Sequence, residues 1–179
     1  MTGLYIHVPF CRRKCLYCDF YSQTDLSLTD SYVKAVVRNI RAANITADTV
    51  YFGGGTPSLL SGAQIYDILS AADISADAEI SAECNPDSTT LQLMRDFRAA
   101  GINRLSIGIQ SFNDDELKMM GRLHNSRQAA EAVQNAQKAG FENISADLML
   151  GLPYQTEETV LDNICLLYTS PSPRDLSTS

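Results

Sequence analysis

The sequence predicts an α/β fold built on a parallel sheet that curls into an incomplete βα barrel of about five strands. Three observations carry this expectation. Short apolar runs alternate with stretches of helical periodicity along the chain, which is the pattern of βαβ units rather than of hairpins. Two helical stretches stop at Gly101 and Gly140, and each leads into a buried-looking apolar run, so one unit is used repeatedly. The chemically unusual residues fall at or just past the carboxyl ends of those runs: residues 11–18 and 53–56, then Glu83, Gln110 and Asp147. Parallel α/β folds, barrels above all, bind ligands at that end. An open doubly wound sheet is the alternative architecture.

Each element follows in order. Residues 4–10, LYIHVPF, read as a short strand with the cysteines directly after it. Residues 28–44 read as a helix: Tyr32, Val33, Val36, Val37 and Ile40 recur at helical spacing, and Thr29 is placed to cap them. DTVYF (48–52) is a strand that runs into GGGTPS, and Ser61 opens a helix to about residue 72. AEISAE (78–83) is a strand followed by CNPD, and a helix covers about 89–100, where Gly101 supplies the stop. RLSIGIQS (104–111) is a strand, about 126–139 form a helix, NISADLML (143–150) is the fifth strand, and a further helix begins near Glu157. The closing TSPSPRDLSTS (169–179) is aperiodic and rich in Ser, Thr and Pro. It reads as a low-complexity tail, disordered or foreign to the fold, behind a core at 1–168. A complete barrel takes well over about 200 residues, so the 179-residue chain reads as truncated at its carboxyl side.

Composition bounds the function. At 45% hydrophobic and 20% charged residues, the chain suits one globular domain with a sizeable core. The net charge of −7 argues against nucleic acid as a partner, and CRRKC is the only dense basic run. No apolar run approaches the roughly 20 residues of a transmembrane segment. The amino terminus, MTGLYIHVPF, lacks the basic region and cleavage site of a secretory signal. The expected location is cytoplasmic, in solution or peripheral at a membrane. In that reducing compartment, five cysteines do not read as a disulfide framework.

Three of those cysteines, Cys11, Cys15 and Cys18, lie within eight residues as C-x3-C-x2-C. A structural zinc site takes four ligands in closed geometry. His7, Asp19 or Cys84 is available as a fourth, which leaves a zinc-stabilised α/β module as one reading. Three thiolates on a short loop also suit a [4Fe–4S] cluster, which four cysteines usually hold. With three, one iron stays open to a small molecule, the arrangement by which catalytic metal sites admit substrate.

At this point the sequence resembles a known family. YIHVPFCRRKCLYCDFYS, VYFGGGTPSLL, ECNPD, RLSIGIQSFND, GRLH and DLMLGLP, in that order over roughly residues 4–165, resemble the radical S-adenosylmethionine superfamily. They are most similar to its oxygen-independent coproporphyrinogen III oxidase-like group. The resemblance implies a partial TIM-like barrel with a [4Fe–4S] cluster held by Cys11, Cys15 and Cys18. It also implies S-adenosylmethionine bound at the open iron and cleaved to a 5′-deoxyadenosyl radical. Tyr5 and Tyr17 match aromatic positions beside the cofactor; taken alone they read equally as packing. Gly54, Gly55 and Thr56 match the glycine motif, where the backbone approaches the methionine portion. Glu83 and Asp147 match cofactor contacts; their alternative is helix capping or an ion pair. Gln110 is an amide in an apolar strand and requires partners. Arg122 matches a family arginine suited to the cofactor carboxylate, although unaided it reads as a surface residue. Cys84 and Cys165 read as small buried hydrophobes, and His7 as a packed histidine. His124 belongs to the pattern without a mechanism.

One position separates two branches of the group. The oxidases resemble C-x3-C-x2-C-x-C, and here the last position is Phe20. The resemblance therefore implies the heme-chaperone branch, with heme or porphyrin bound and passed to heme-accepting apoproteins. An electron donor such as flavodoxin or ferredoxin is the implied redox partner. The alternative is the oxidase, which decarboxylates coproporphyrinogen III to protoporphyrinogen IX.

Overall fold

A computed structural model describes residues 2–169 of the chain. The tail expected at 169–179 lies, beyond Thr169, outside the described residues. Five strands, β1 (Gly3–Val8), β2 (Thr46–Gly54), β3 (Asp73–Cys84), β4 (Arg104–Gln110) and β5 (Asn143–Leu148), form one sheet in the order 1-2-3-4-5. Every pairing is parallel. A doubly wound sheet reverses its strand order at a switch point; this sheet does not, which removes the alternative architecture. Crossovers of one hand that always advance in the same direction lay their helices on one face of the sheet.

The two faces of the sheet differ accordingly. Ile6, Val8, Val50, Phe52, Ala82, Leu105, Ile107 and Ile109 point into the core. There they join residues of α1 (Thr29–Ala43), α2 (Gly62–Leu69), α3 (Leu91–Ala100) and α5 (Ser126–Lys138). Helix α3 buries Met94 and Phe97, and α5 buries Ala129, Ala132 and Ala136 with Val133 partly buried beside them. Small side chains let α5 approach the sheet closely. The opposite face carries Tyr5, Tyr51, Glu83, Ser106, Gly108 and Asp147, the interior side of a barrel wall.

Caps explain most helix starts. Ser61 and Gln64 form a reciprocal capping box at α2, as do Asn125 and Gln128 at α5. Thr90 accepts from the Leu93 N–H at α3, and Gly101 ends that helix in left-handed geometry. Strands β1 and β5 end two residues earlier than expected, β2 is longer at both ends, and three further features differ more. Thr29 does not cap α1; its hydroxyl donates to Leu26 O, at the end of a short 3-10 turn over Leu26–Leu28 that Asp25 caps instead. Helix α2 stops at Leu69 because β3 begins at Asp73, before the expected residue 78; DISAD lacks the β-branched run that marks a strand. Helix α4 (Asp114–Met119), capped by Asn113, was not anticipated, since six residues show no periodicity. Helix α6 (Glu157–Thr169) begins where expected. Cys84 is buried as expected, but Cys165 is exposed on α6.

Candidate functional site

The site forms where the strands end. The chain leaves β1 through the buried Phe10. The loop that follows is pinned at both ends, by Cys11 N–H to Gln23 O at 2.9 Å and Gln23 N–H to Pro9 O at 2.8 Å. Between these points the Cys18 N–H turns back to Cys15 O at 3.2 Å, and the Leu16 N–H donates to Met120 O at 3.2 Å. The cysteine loop is therefore docked on the far side against the segment after α4.

The glycines of β2 serve this loop. A Cβ on Gly55 would lie 2.6 Å from Phe10 O, and its N–H donates to Val8 O at 2.7 Å. Gly54 has φ of 105°, and a Cβ there would lie 2.6 Å from His7 Nδ1. Only glycine permits the exits of β1 and β2 to touch in this way.

The three thiols face a common cavity of about 200 Å³. Tyr17, Gly54, Gly55 and Thr56 line it from one side; Glu83, Gln110, Arg122 and Asp147 line it from the strand ends. Every residue expected at the site is thus brought together except Tyr5. That ring lies lower on the same sheet face, stacked on Tyr51 at 6.1 Å between centroids, with its hydroxyl 3.4 Å from His7 Nδ1. His7 is packed as expected, with Nε2 2.9 Å from Tyr21 O.

Partners set the electrostatics. Glu83 accepts from Tyr51 OH at 2.8 Å and from the Gly54 N–H at 3.2 Å. Burial nevertheless raises its pKa, and these hydrogen bonds only partly oppose the shift. Asp147 accepts from Ser106 Oγ at 3.0 Å. Arg122 is not the surface residue that its sequence context suggests. Its Nη2 donates to Gly108 O at 2.6 Å and to Asn85 Oδ1 at 2.9 Å. Its Nη1 reaches Cys15 Sγ at 3.7 Å and Tyr17 OH at 3.4 Å. Thr56 Oγ1 donates to Cys11 Sγ at 3.5 Å. Two of the three sulfurs therefore accept a hydrogen bond.

Sequence reasoning missed Asn85 as a hub. Its Nδ2 donates to Thr56 Oγ1 at 3.0 Å while its Oδ1 accepts from Arg122, so one amide fixes both residues that touch sulfur. The motif CNPD after a strand was the available signal. Ser106, Gly108, Arg13, Lys14 and Phe20 also line the cavity. His124 is buried, with Nε2 3.0 Å from Ile109 O, behind the strand rather than in the cavity.

The residues fit a cluster and an anionic, amine-bearing ligand. Cys11, Cys15 and Cys18 are all free. Among the described residues no three His, Cys, Asp or Glu side chains converge as the ligands of a single ion do; a cubane spreads its thiolates more widely. The buried Arg122 Nε has no partner, an unusual state for such a donor. Glu83 and Asp147 add carboxylate acceptors to the same cavity.

A parallel βα wall whose strand ends surround a three-cysteine loop defines a class, the half-barrel that presents an open-sided cluster site. The chain belongs to the Radical SAM superfamily, whose model matches residues 5–166; this family implies a [4Fe–4S] cluster and S-adenosylmethionine. It is 38% identical over 173 residues to the heme chaperone HemW of Escherichia coli (strain K12), covering 90% of this chain and 46% of that protein. It is 41% identical over 169 residues to the heme chaperone HemW of Synechocystis sp., covering 87% and 41%. Among solved structures, coproporphyrinogen III oxidase (HemN) from Escherichia coli, a radical SAM enzyme, matches with a TM-score of 0.83 at 27% identity. That match covers 95% of this chain and 42% of the oxidase. The chain spans about half the length of the curated relatives it matches.

Proposed function

We propose that the protein binds a [4Fe–4S] cluster through Cys11, Cys15 and Cys18, binds S-adenosylmethionine beside it, and acts as a heme chaperone that passes heme to apoproteins. When bound, the cluster supplies the electron that cleaves the sulfonium C–S bond. The chain's own groups bind and orient. Arg122, anchored by Gly108 O and Asn85 and lining the cavity, sets its guanidinium charge beside a carboxylate bound there. Glu83, Gln110 and Asp147 accept or donate at ribose hydroxyls and the α-ammonium group, and Gly54, Gly55 and Thr56 give backbone access. Tyr17 shields one side; Tyr5 acts through its packing on Tyr51. A small reducing protein such as flavodoxin or ferredoxin supplies electrons. The core at 1–168 carries these parts, and the location that goes with this reading is cytoplasmic or peripheral at a membrane. Among the described residues no helix is long and apolar enough to cross one.

The observation that carries the chaperone reading is Phe20. It lines the cavity, 63% exposed, at the position where the oxidases resemble cysteine, and an apolar ring there suits a macrocycle rather than a further thiolate. The similarity to HemW supports the same reading. The fold match to HemN favours the second reading, coproporphyrinogen III oxidation. Incubating the full-length, cluster-loaded protein with reductant, S-adenosylmethionine and coproporphyrinogen III separates them. We expect heme binding and transfer without decarboxylation. Sustained protoporphyrinogen formation would reverse the assignment.

A further inference from the structure

Among the described residues, three positions other than glycine have positive φ: Asn44, Gln110 and Tyr154. Asn44 ends α1, and Tyr154 sits in a turn, 98% exposed. Gln110, at φ 69°, alone lines the cavity. It follows an irregularity in the sheet: Ile107 pairs with Ala146 and Gln110 with Leu148, so β4 carries one residue more than β5 between these pairs. Such a bulge re-aims a side chain. A left-handed glutamine is strained, and that strain persists only where the surroundings over-determine it.

The surroundings here form a closed polar circuit behind the cavity. Gln110 O accepts the Met149 N–H at 2.9 Å. Ser111, fully buried, donates from Oγ to Glu116 Oε2 at 2.5 Å and accepts the Asn113 N–H at 2.9 Å. Asn163, buried on α6, accepts the Phe112 N–H at 2.6 Å, and its Nδ2 lies 3.3 Å from Ser111 Oγ. Gln155 closes the circuit, with Nε2 3.2 Å from Met149 O and 3.4 Å from Glu116 Oε2. None of these polar contacts serves α6 or α4 alone; together they grip the two residues that follow Gln110.

We infer that Asn163, with Ser111 and Glu116, is a positioning latch that holds Gln110 in its left-handed conformation and so sets the affinity of the cavity for S-adenosylmethionine. The inference rests on the proposed cofactor role of Gln110. Without the latch the backbone relaxes toward an unstrained form, and apparent affinity falls by the fraction of competent molecules, on the order of tenfold.

The test is calorimetric binding of S-adenosylhomocysteine to the cluster-loaded full-length protein, with iron content measured in parallel. Gln110→Ala should weaken binding about tenfold. Asn163→Ala should do the same with iron unchanged, yet change affinity less than about twofold in the Gln110→Ala background. Ser111→Ala, a smaller change, should follow the same pattern and serves if Asn163→Ala does not fold. If Gln110→Ala weakens binding and both latch variants bind like wild type, or weaken it equally in both backgrounds, the latch is overturned alone. If Gln110→Ala has no effect, the cofactor reading of Gln110 falls, and the latch with it.

Discussion

At the residue scale, the site depends on three sulfurs and on what is held against them. Cys11→Ala, Cys15→Ala or Cys18→Ala should abolish the thiolate-to-iron absorption of an anaerobically reconstituted sample. Cys84→Ala and Cys165→Ala should leave it at about four irons per chain. One bound zinc and no chromophore in the parent protein would contradict the cluster. His124 makes a different prediction. Burial first, and the nearby Arg122 charge second, lower its pKa from 6.5 to about 4. The unfolded chain binds the proton below about 6.5, whereas the folded chain refuses it until about 4. Stability is therefore full above that window and is lost as pH falls through it, by on the order of 3 kcal/mol. His124→Asn should flatten the pH dependence of urea unfolding between pH 4 and 6.5 by about one proton. An unchanged slope would assign the acid sensitivity to other groups. Glu83 and Asp147 were legible as lining residues because they stand at the ends of apolar strand-like runs and match the family pattern. Asn85 and Asn163 were not, because asparagine fits turns and caps everywhere and its tertiary partners leave no local mark.

At the element scale, strands and capped helices were readable wherever a local signal was strong, as with Ser61 before α2 and Gly101 after α3. The misreadings share a cause. The first half of β3 is extended by its pairing with β2, Thr46 opposite Asp73 and Ala47 opposite Ile74, not by its own propensity. Tertiary pairing overrode a polar, alanine-rich segment. Strand β5 differs from its neighbours because it pairs only with β4, and its residues are at most half-buried. Amide exchange should therefore be fast along Asn143–Leu148 and slow in β2 and β4, whose sides are both paired. Equal protection of all five strands would show that another surface covers β5.

At the scale of the whole molecule, the described sheet has two unpaired edges, and the β5 edge carries Ile144 and Leu148 beside open backbone groups. Such an edge invites pairing with a second chain. This 179-residue chain should therefore associate as its concentration rises, as read by sedimentation velocity, and Ile144→Lys, which puts a charge on that edge strand, should weaken the association. A strict monomer at high concentration would mean the edge is shielded. The order of motifs from the cysteine loop to GLP made the half-barrel legible.

That strand order also bears on how the molecule is made. Each strand pairs with the one synthesised just before it, and no strand has to wait for a distant partner. Long-range parallel pairing is usually slow because a large loop must close before any contact forms. Here the loop closed at each step is only the segment between consecutive strands, one or two helices and their turns. The amino-terminal units can thus assemble in sequence as the chain leaves the ribosome. The cysteine loop follows the first strand, but its supports arrive much later: Thr56 with the second unit, Asn85 with the third, Arg122 only after the fourth. The support of the cysteine loop is therefore complete only after the fourth strand has formed, although the cysteines are among the first residues translated.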